Sequence, residues 1–146
     1  MAKIQLKILT SESVKLDQEV DMVIMRCILD VYGSNSAVGD IGLLPNHIPL
    51  SAILGINPLR FFNEGNEKII ALYGGTANFR DNVLTVMTER ALWPEEIDEE
   101  TAKAARDAAE REAIALTADT DIRSNHITMR RALVQIEVSS YPLVKR

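Results

Sequence analysis

Arg90-Ala91-Leu92-Trp93-Pro94-Glu95-Glu96-Ile97-Asp98 divides this chain into two segments with different grammar. Pro94 biases Trp93 towards extended backbone and cannot donate to a sheet ladder, so a strand ends there. Upstream lie all seven glycines, the last of them Gly75. Downstream, neither glycine nor proline occurs from Glu95 to Tyr141. Those two residue types punctuate turns and break helices, so the first segment reads as strands and the second as helix. The expected division is a β domain over 1–94 and a helical hairpin over 95–146.

Period-2 alternation marks the strands. Ile4, Leu6 and Ile8 share one face, with Lys3, Gln5 and Lys7 on the other. Val14 and Leu16 alternate with Lys15 and Asp17, and Val20–Cys27 is largely apolar on both faces, as a central strand is. Further strands are expected at Ile41–Leu44, Ile48–Leu54, Leu59–Asn63, Lys68–Tyr73, Thr76–Arg80 and Val83–Thr88. Residues 63–66 (Asn-Glu-Gly-Asn), Gly74-Gly75 and Asp81-Asn82 read as hairpin-type connections, and Gly39-Asp40-Ile41-Gly42 as a turn. No helical stretch separates these strands, so a sandwich or barrel is expected rather than a parallel α/β sheet.

In the tail, Asp98 is placed to cap a helix, with Glu99 and Glu100 in a first turn that favours anions. Ala102, Ala105, Ala109, Ala113 and Leu116 recur at helical spacing. Residues 117–121, rich in capping types, end that helix. A second stripe follows at Ile122, His126, Met129, Leu133 and Ile136, giving an αα-hairpin with an alanine face against a bulky one. Charge is divided as well. Acids predominate from Glu95 to Glu112, whereas the second helix carries Arg123, Arg130 and Arg131 and the chain ends Lys145-Arg146. On composition alone these arginines are a solvated face.

The 146 residues, 47% of them hydrophobic, suffice for one real core, which excludes global disorder. A net charge of −5 without a long basic stripe argues against nucleic acid. Cys27 is the only cysteine, so no internal disulfide forms and a thiolate zinc site would have one sulfur. No apolar run approaches the ~20 residues of a membrane span, and Met1-Ala2-Lys3-Ile4-Gln5-Leu6 lacks a signal-peptide apolar region, so a soluble, cytoplasmic protein is expected.

Catalytic constellations are scarce. There is no phosphate loop, no dinucleotide fingerprint and no metal-ligand spacing. His47, between Pro45 and Pro49, reads as a turn-fixing hydrogen-bond partner. Three readings of function stand. One is a structural or interaction subunit. The second is a small-molecule binding module with the hairpin as lid. The third is an enzyme that would require Cys27 and His47 to be close and exposed.

Gly42-Leu43-Leu44-Pro45-Asn46-His47-Ile48-Pro49-Leu50 resembles the Gly-x-Leu-Pro-x-His-x-Pro-Leu segment of the epsilon subunits of F-type ATP synthases. Gly42, Leu44, Pro45, His47 and Pro49 carry the match. Tyr73-Gly74-Gly75, the strand Val83–Thr88 closing in Glu89-Arg90-Ala91, Glu96-Ile97-Asp98 before an alanine-rich helix, and Arg130–Ile136 resemble further family segments in the same order. The resemblance spans essentially the whole chain. One departure is the segment 28–39, several residues longer than the family's short acidic turn and readable as an extended hairpin.

The resemblance implies a sandwich of about ten strands and a two-helix C-terminal hairpin. It implies a non-catalytic rotor subunit of a proton-translocating complex, peripheral on the cytoplasmic face of the plasma membrane. Its expected partners are the gamma subunit, the catalytic alpha/beta hexamer and the membrane c-ring. The hairpin would be a movable inhibitor of ATP hydrolysis, with Arg123, Arg130 and Arg131 meeting an acidic loop of the catalytic subunits. Some family members bind ATP through an Ile/Leu-Asp-x-x-Arg-Ala motif. Here Ile97, Asp98 and Ala102 match, but Thr101 replaces the arginine, so no cofactor and at most weak ATP binding are expected.

Overall fold

A computed structural model describes residues 2–31, 34–116 and 118–144, with only the backbone at 29–31, 34–38, 119–120 and 142–144. Tyr32 and Gly33 of the longer segment, Thr117 between the helices and the terminal Lys145-Arg146 lie outside the described residues. Among the described residues there are eight strands, β1 (Ile4–Leu9), β2 (Val14–Val20), β3 (Met22–Val31), β4 (Ser34–Leu43), β5 (Leu50–Asn63), β6 (Asn66–Arg80), β7 (Val83–Met87) and β8 (Ala91–Leu92). A 3-10 turn at Pro94–Glu96 precedes α1 (Glu99–Ala113) and α2 (Asp119–Val144). The strand order is β2-β1-β7-β6-β5-β3-β4, with β8 paired to β6 off this path. Only β1 and β7 run parallel; the other neighbours on the path are antiparallel.

Of the nine strands expected from alternation, two pairs are each continuous, and the short β8 is added, which gives the eight strands of the mostly β domain. Ile48–Leu54 and Leu59–Asn63 fall in or abut β5, and Lys68–Tyr73 and Thr76–Arg80 lie in β6. Gly74-Gly75 is therefore not a reversal. Gly74 (φ 76°) and Gly75 (φ 122°) take backbone angles closed to other residues, yet Ile56↔Tyr73 and Leu54↔Gly75 stay in one register across them. The register of β3 with β5 does shift there, between Met25↔Leu59 and Cys27↔Leu54. Bulged registers bend strands, so the sheet folds over along β5 and β6. β2, at one edge of the order, then packs against β5.

The same shift in reading applies to Gly39–Gly42, which lies inside β4 rather than in a turn. Val20 closes β2 opposite Ile4, so the central strand begins at Met22. Among the described residues of the long segment, β3 and β4 pair antiparallel from Val23↔Leu43 to Val31↔Ser34. The core follows the pleat, with Ile4, Leu6 and Ile8, Val23, Met25 and Cys27, Ala77 and Phe79, and Leu84 and Val86 all buried.

The chain separates into two compact units, Met1–Ala91 and Leu92–Arg146. In the second, α2 is longer than its stripe predicts and continues through Pro142. The faces also differ from expectation. Ala102 and Ala109 are buried on α1, whereas Ala105 and Ala113 are exposed. On α2 the buried residues are Ala132, Val134 and Val138, while Ile122 and His126 are exposed. The face of α2 that meets α1 is the small, polar one, Asn125, Thr128, Ala132 and Gln135. Small side chains on both helices permit a close approach, which a bulky stripe does not.

Candidate functional site

Three features carry chemistry or contact surface. The first is the loop after β4. Gly42 and buried Leu43 end the strand, Pro45 and Pro49 stiffen the loop, and the His47 amide closes a turn on Leu44 O at 3.2 Å. Nδ1–H of His47 donates to Ile48 O at 2.7 Å, and the ring meets Phe79 edge to face at 5.9 Å. His47 is thus engaged in local structure. The clasp that fixes the loop comes from Asn46, which sequence reasoning passed over. Asn46 sits at φ 70°, its amide donates to Asn82 Oδ1 at 2.6 Å, and Asn82 Nδ2 returns a bond to Asn46 Oδ1 at 3.1 Å. Two asparagines in a Pro-Asn and an Asp-Asn turn were the available signal, since Asn tolerates positive φ. The clasped loop holds Leu44 (57% exposed) and Ile48 (74% exposed) towards solvent.

The second feature is a row across the sheet. Ile28↔Ile53, Ile53↔Thr76, Thr76↔Met87 and Met87↔Leu9 are direct cross-strand partners, so their side chains share one face. Ile53 (61%) and Met87 (59%) are exposed, and Ile28 is partly so. The adjacent row on that face, Ser51, Asn78, Thr85 and Lys7, is polar. No motif announces this row, because its members lie far apart in sequence.

The third feature lies within the hairpin. Thr101, Ala102 and Ala105 of α1 and Thr128, Arg131, Ala132 and Gln135 of α2 line a groove of about 220 Å³. Asp98 caps α1: its carboxylate accepts the Thr101 amide at 3.4 Å and the Thr101 hydroxyl at 2.6 Å. The threonine in place of the motif's arginine is therefore committed to the cap. Ile97, half-buried, donates its amide to Pro94 O at 3.2 Å. The three arginines do not form one patch. Arg123 and Arg130, seven residues apart, share a face by helical geometry. Arg123 is exposed, Arg130 is half-buried, and Arg131 turns into the groove.

The Thr101 bonds hold the Asp98 carboxyl below its ordinary pKa of 3.8. A depressed folded-state pKa means the carboxylate stabilises the helix above the unfolded value, and that this is lost as pH falls through the folded one. The N-terminus of α1 is expected to fray below about pH 4. Circular dichroism checks this: helical signal falls on acidification in the wild type and falls less in Asp98→Asn, whose amide still caps.

Cys27 is buried within the sheet between Gly39 and Leu54, and burial, with Asp40 nearby, pushes its thiol up from 9.0. A buried, protonated thiol is a poor nucleophile. Among the described residues no cluster of His, Cys, Asp and Glu is placed to hold a metal ion, and no helix is long and apolar enough to cross a membrane.

The ATP synthase delta/epsilon chain β-sandwich domain family matches residues 3–94. Curated relatives extend the likeness to the helices. The ATP synthase epsilon chain of Bacillus velezensis is 31% identical over 95% of this chain and 98% of its own length. That of Brevibacillus brevis is 33% identical over 95% and 99%, and that of Herpetosiphon aurantiacus 34% identical over 93% of each. Among solved structures, a chain of the Euglena gracilis mitochondrial ATP synthase (OSCP/F1/c-ring) superposes with a TM-score of 0.76 at 22% identity, covering 94% of this chain and 81% of that one. A chain of the Tetrahymena thermophila mitochondrial ATP synthase central stalk and c-ring gives 0.60 at 12% identity, covering 94% and 96%. At those identities the structural matches establish a shared fold.

Proposed function

Because this chain belongs to the ATP synthase epsilon-chain family, we propose that it is a non-catalytic central-stalk subunit of a rotary ATP synthase. Its β domain docks on the gamma subunit and the membrane c-ring, coupling ring rotation to ATP synthesis. Its hairpin restrains ATP hydrolysis by the alpha/beta hexamer. The protein sits peripherally on the membrane as part of that complex. Solved relatives of the same fold occur in central-stalk and c-ring assemblies, which supports the assignment of partners.

The observation that carries this reading is the exposed Ile28–Ile53–Met87 row, set on a polar sheet face and accompanied by the rigid Leu44–Ile48 loop. Solvated sheet faces are ordinarily polar, and apolar side chains in an ordered row mark a contact surface. Pre-ordering by strands and by the asparagine clasp lowers the entropic cost of docking. The test is co-purification of gamma with the wild type and with an Ile53→Asp/Met87→Asp double variant. Both side chains are exposed, so the fold is retained, and recovery of gamma is expected to drop at least about tenfold, as losing central apolar contacts does. Undiminished recovery would remove this face from the interface.

ATP is not a tight ligand in this reading. Arg131 is the only cation among the groove-lining residues, and the Thr101 hydroxyl is already bonded to Asp98. Glu99 and Glu100 crowd the same helical turn. Restoring one charge-assisted contact is worth about 1.5–3 kcal/mol, so Thr101→Arg is expected to raise ATP affinity roughly 10- to 100-fold. Calorimetry of both forms decides the point, and tight binding by the unmodified chain would overturn it.

A further inference from the structure

The core face of the β domain turns polar near the turn between β5 and β6. On β1 and β2, the buried pair Ile4↔Val20 is followed two residues on by Leu6↔Gln18, so Gln18 stands on the core face. On β5 and β6, Leu59↔Ile70 is a buried pair, the next inward pair is Phe61↔Lys68, and the last is Asn63↔Asn66. Gln18, Asn63, Asn66 and Lys68 thus hold positions where the pleat calls for apolar residues. β2 packs against β5, and these four side chains, with Phe61 and Glu64, line a cleft of about 150 Å³.

The lining is rich in donors. Lys3 Nζ donates to Asn63 Oδ1 at 2.8 Å, and a lysine accepts nothing, so the amide oxygen of Asn63 is the atom that faces it. The Asn63 Nδ2 hydrogens reach no acceptor among the described residues. The side chains of Gln18, Asn66 and Lys68 make no hydrogen bond or ion pair among the described residues. The other charges nearby are matched. Lys3 stands 3.5 Å from the Asp21 carboxylate and 3.9 Å from that of Glu64, and Asp21 also accepts the Glu64 amide at 2.7 Å. Glu64, the only acid of the lining, has a side chain 80% exposed and so belongs to the rim. Lys68 is left as the unmatched charge, sharing the cleft with three side-chain amides and the buried Phe61 ring.

We propose that this cleft is an oxyanion site that takes one carboxylate or phosphate group. The ammonium of Lys68 supplies the charge, and the amide N–H groups supply directional bonds, which are stronger to a charged acceptor. The volume is below the ~300 Å³ at which pockets for whole small molecules begin, so the ligand is a single group and not a nucleotide. Two sources carry such a group: a free anion, or an acidic side chain of a partner docked at this end of the β domain. The site itself does not rest on the central-stalk reading; only the second source does.

The test is nuclear magnetic resonance of the whole isotope-labelled chain, in which the side-chain NH2 groups report directly on the cleft. Sodium phosphate and sodium acetate are titrated beside sodium chloride at equal ionic strength. Phosphate or acetate is expected to shift the Gln18, Asn63 and Asn66 NH2 signals saturably, with half-saturation at about 1–10 mM, and chloride is not. Lys68→Gln keeps the stem and removes the charge, and should raise half-saturation at least about tenfold. Lys103→Gln, on α1, should change nothing. Gln18→Leu restores an apolar residue on the core face and should weaken binding at least about threefold with the β1 amides unmoved. Shifts that are alike in all three salts, or unaltered by Lys68→Gln, overturn the proposal. If Lys68→Gln disturbs the β1 amides, Gln18→Leu decides in its place. With the gamma subunit bound, NH2 signals already at the anion-bound position and unmoved by phosphate assign the group to a partner side chain. Continued titration by phosphate in that complex assigns it to a free anion.

Discussion

Gly75→Ala is expected to destabilise the β domain by about 2–6 kcal/mol, the sum of an overpacking cost and a backbone-strain cost of about 1–3 each. A Cβ on Gly75 would lie 1.9 Å from Met87 O and 2.9 Å from Met87 C, and neither is the end of a flexible side chain. The position also holds φ 122°, where L-residues rarely go. Two other glycines separate these causes. Gly42 has nothing within 4 Å of its added Cβ and no positive φ, so Gly42→Ala should stay within about 0.5 kcal/mol of the wild type. Gly65 has open space but φ 80°, so Gly65→Ala should cost about 1–2 kcal/mol. Thermal melting of the three variants checks the order Gly75, Gly65, Gly42. Equal midpoints for Gly75→Ala and Gly42→Ala would mean that β6 and β7 do not approach as closely as described.

Removing Arg123 and Arg130 of α2 is expected to release ATP hydrolysis. An exposed cation is worth little alone, but several meeting an acidic surface in a partly dry site add up. A coupling of about 1–3 kcal/mol corresponds to a rise of roughly 5- to 100-fold in hydrolysis by the reconstituted complex. The structure divides the effect. Arg123 and Arg130 share a helix face, so Arg123→Ala/Arg130→Ala should carry most of the release, and Arg131→Ala, at the groove, the smaller part. Raising the salt concentration should mimic the double variant, because exposed pairs are screened. Assembly should persist, since the proposed docking surface lies in the β domain. Intact assembly with unchanged hydrolysis would mean that the arm acts by bulk or does not inhibit.

The parts that were legible in the sequence are those set by local rules. Alternation at Ile4, Leu6 and Ile8 marked a strand with the face that is buried, Val83–Thr88 was read as a strand and β7 covers Val83–Met87, and Asp98 before Glu99-Glu100 marked a cap that the structure shows. Reading failed where a residue's role depends on a neighbour distant in sequence. Gly74-Gly75 has the composition of a reversal, yet lies inside one continuous strand, where the Met87 carbonyl leaves no room for a side chain on Gly75. His47 makes the local turn-fixing hydrogen bonds expected of it, but the tertiary clasp of its loop is made by Asn46 with Asn82. Ile122 and His126 fit a helical period but miss the contact face, since period alone does not choose which stripe meets the partner helix.

What the sequence determined by itself is therefore the class of each segment. Glycine, proline and apolar spacing act on backbone conformation within a few residues, and that information is local. The tertiary structure alone decided that two pairs of strands are each one bent strand and that Ile28, Ile53 and Met87 form one row. It alone decided that Thr101 is spent on a cap and that the Pro94 turn belongs to the helices. Each of these depends on which backbone lies within a few ångströms, and cross-strand register and helix packing fix that only once the whole chain is folded.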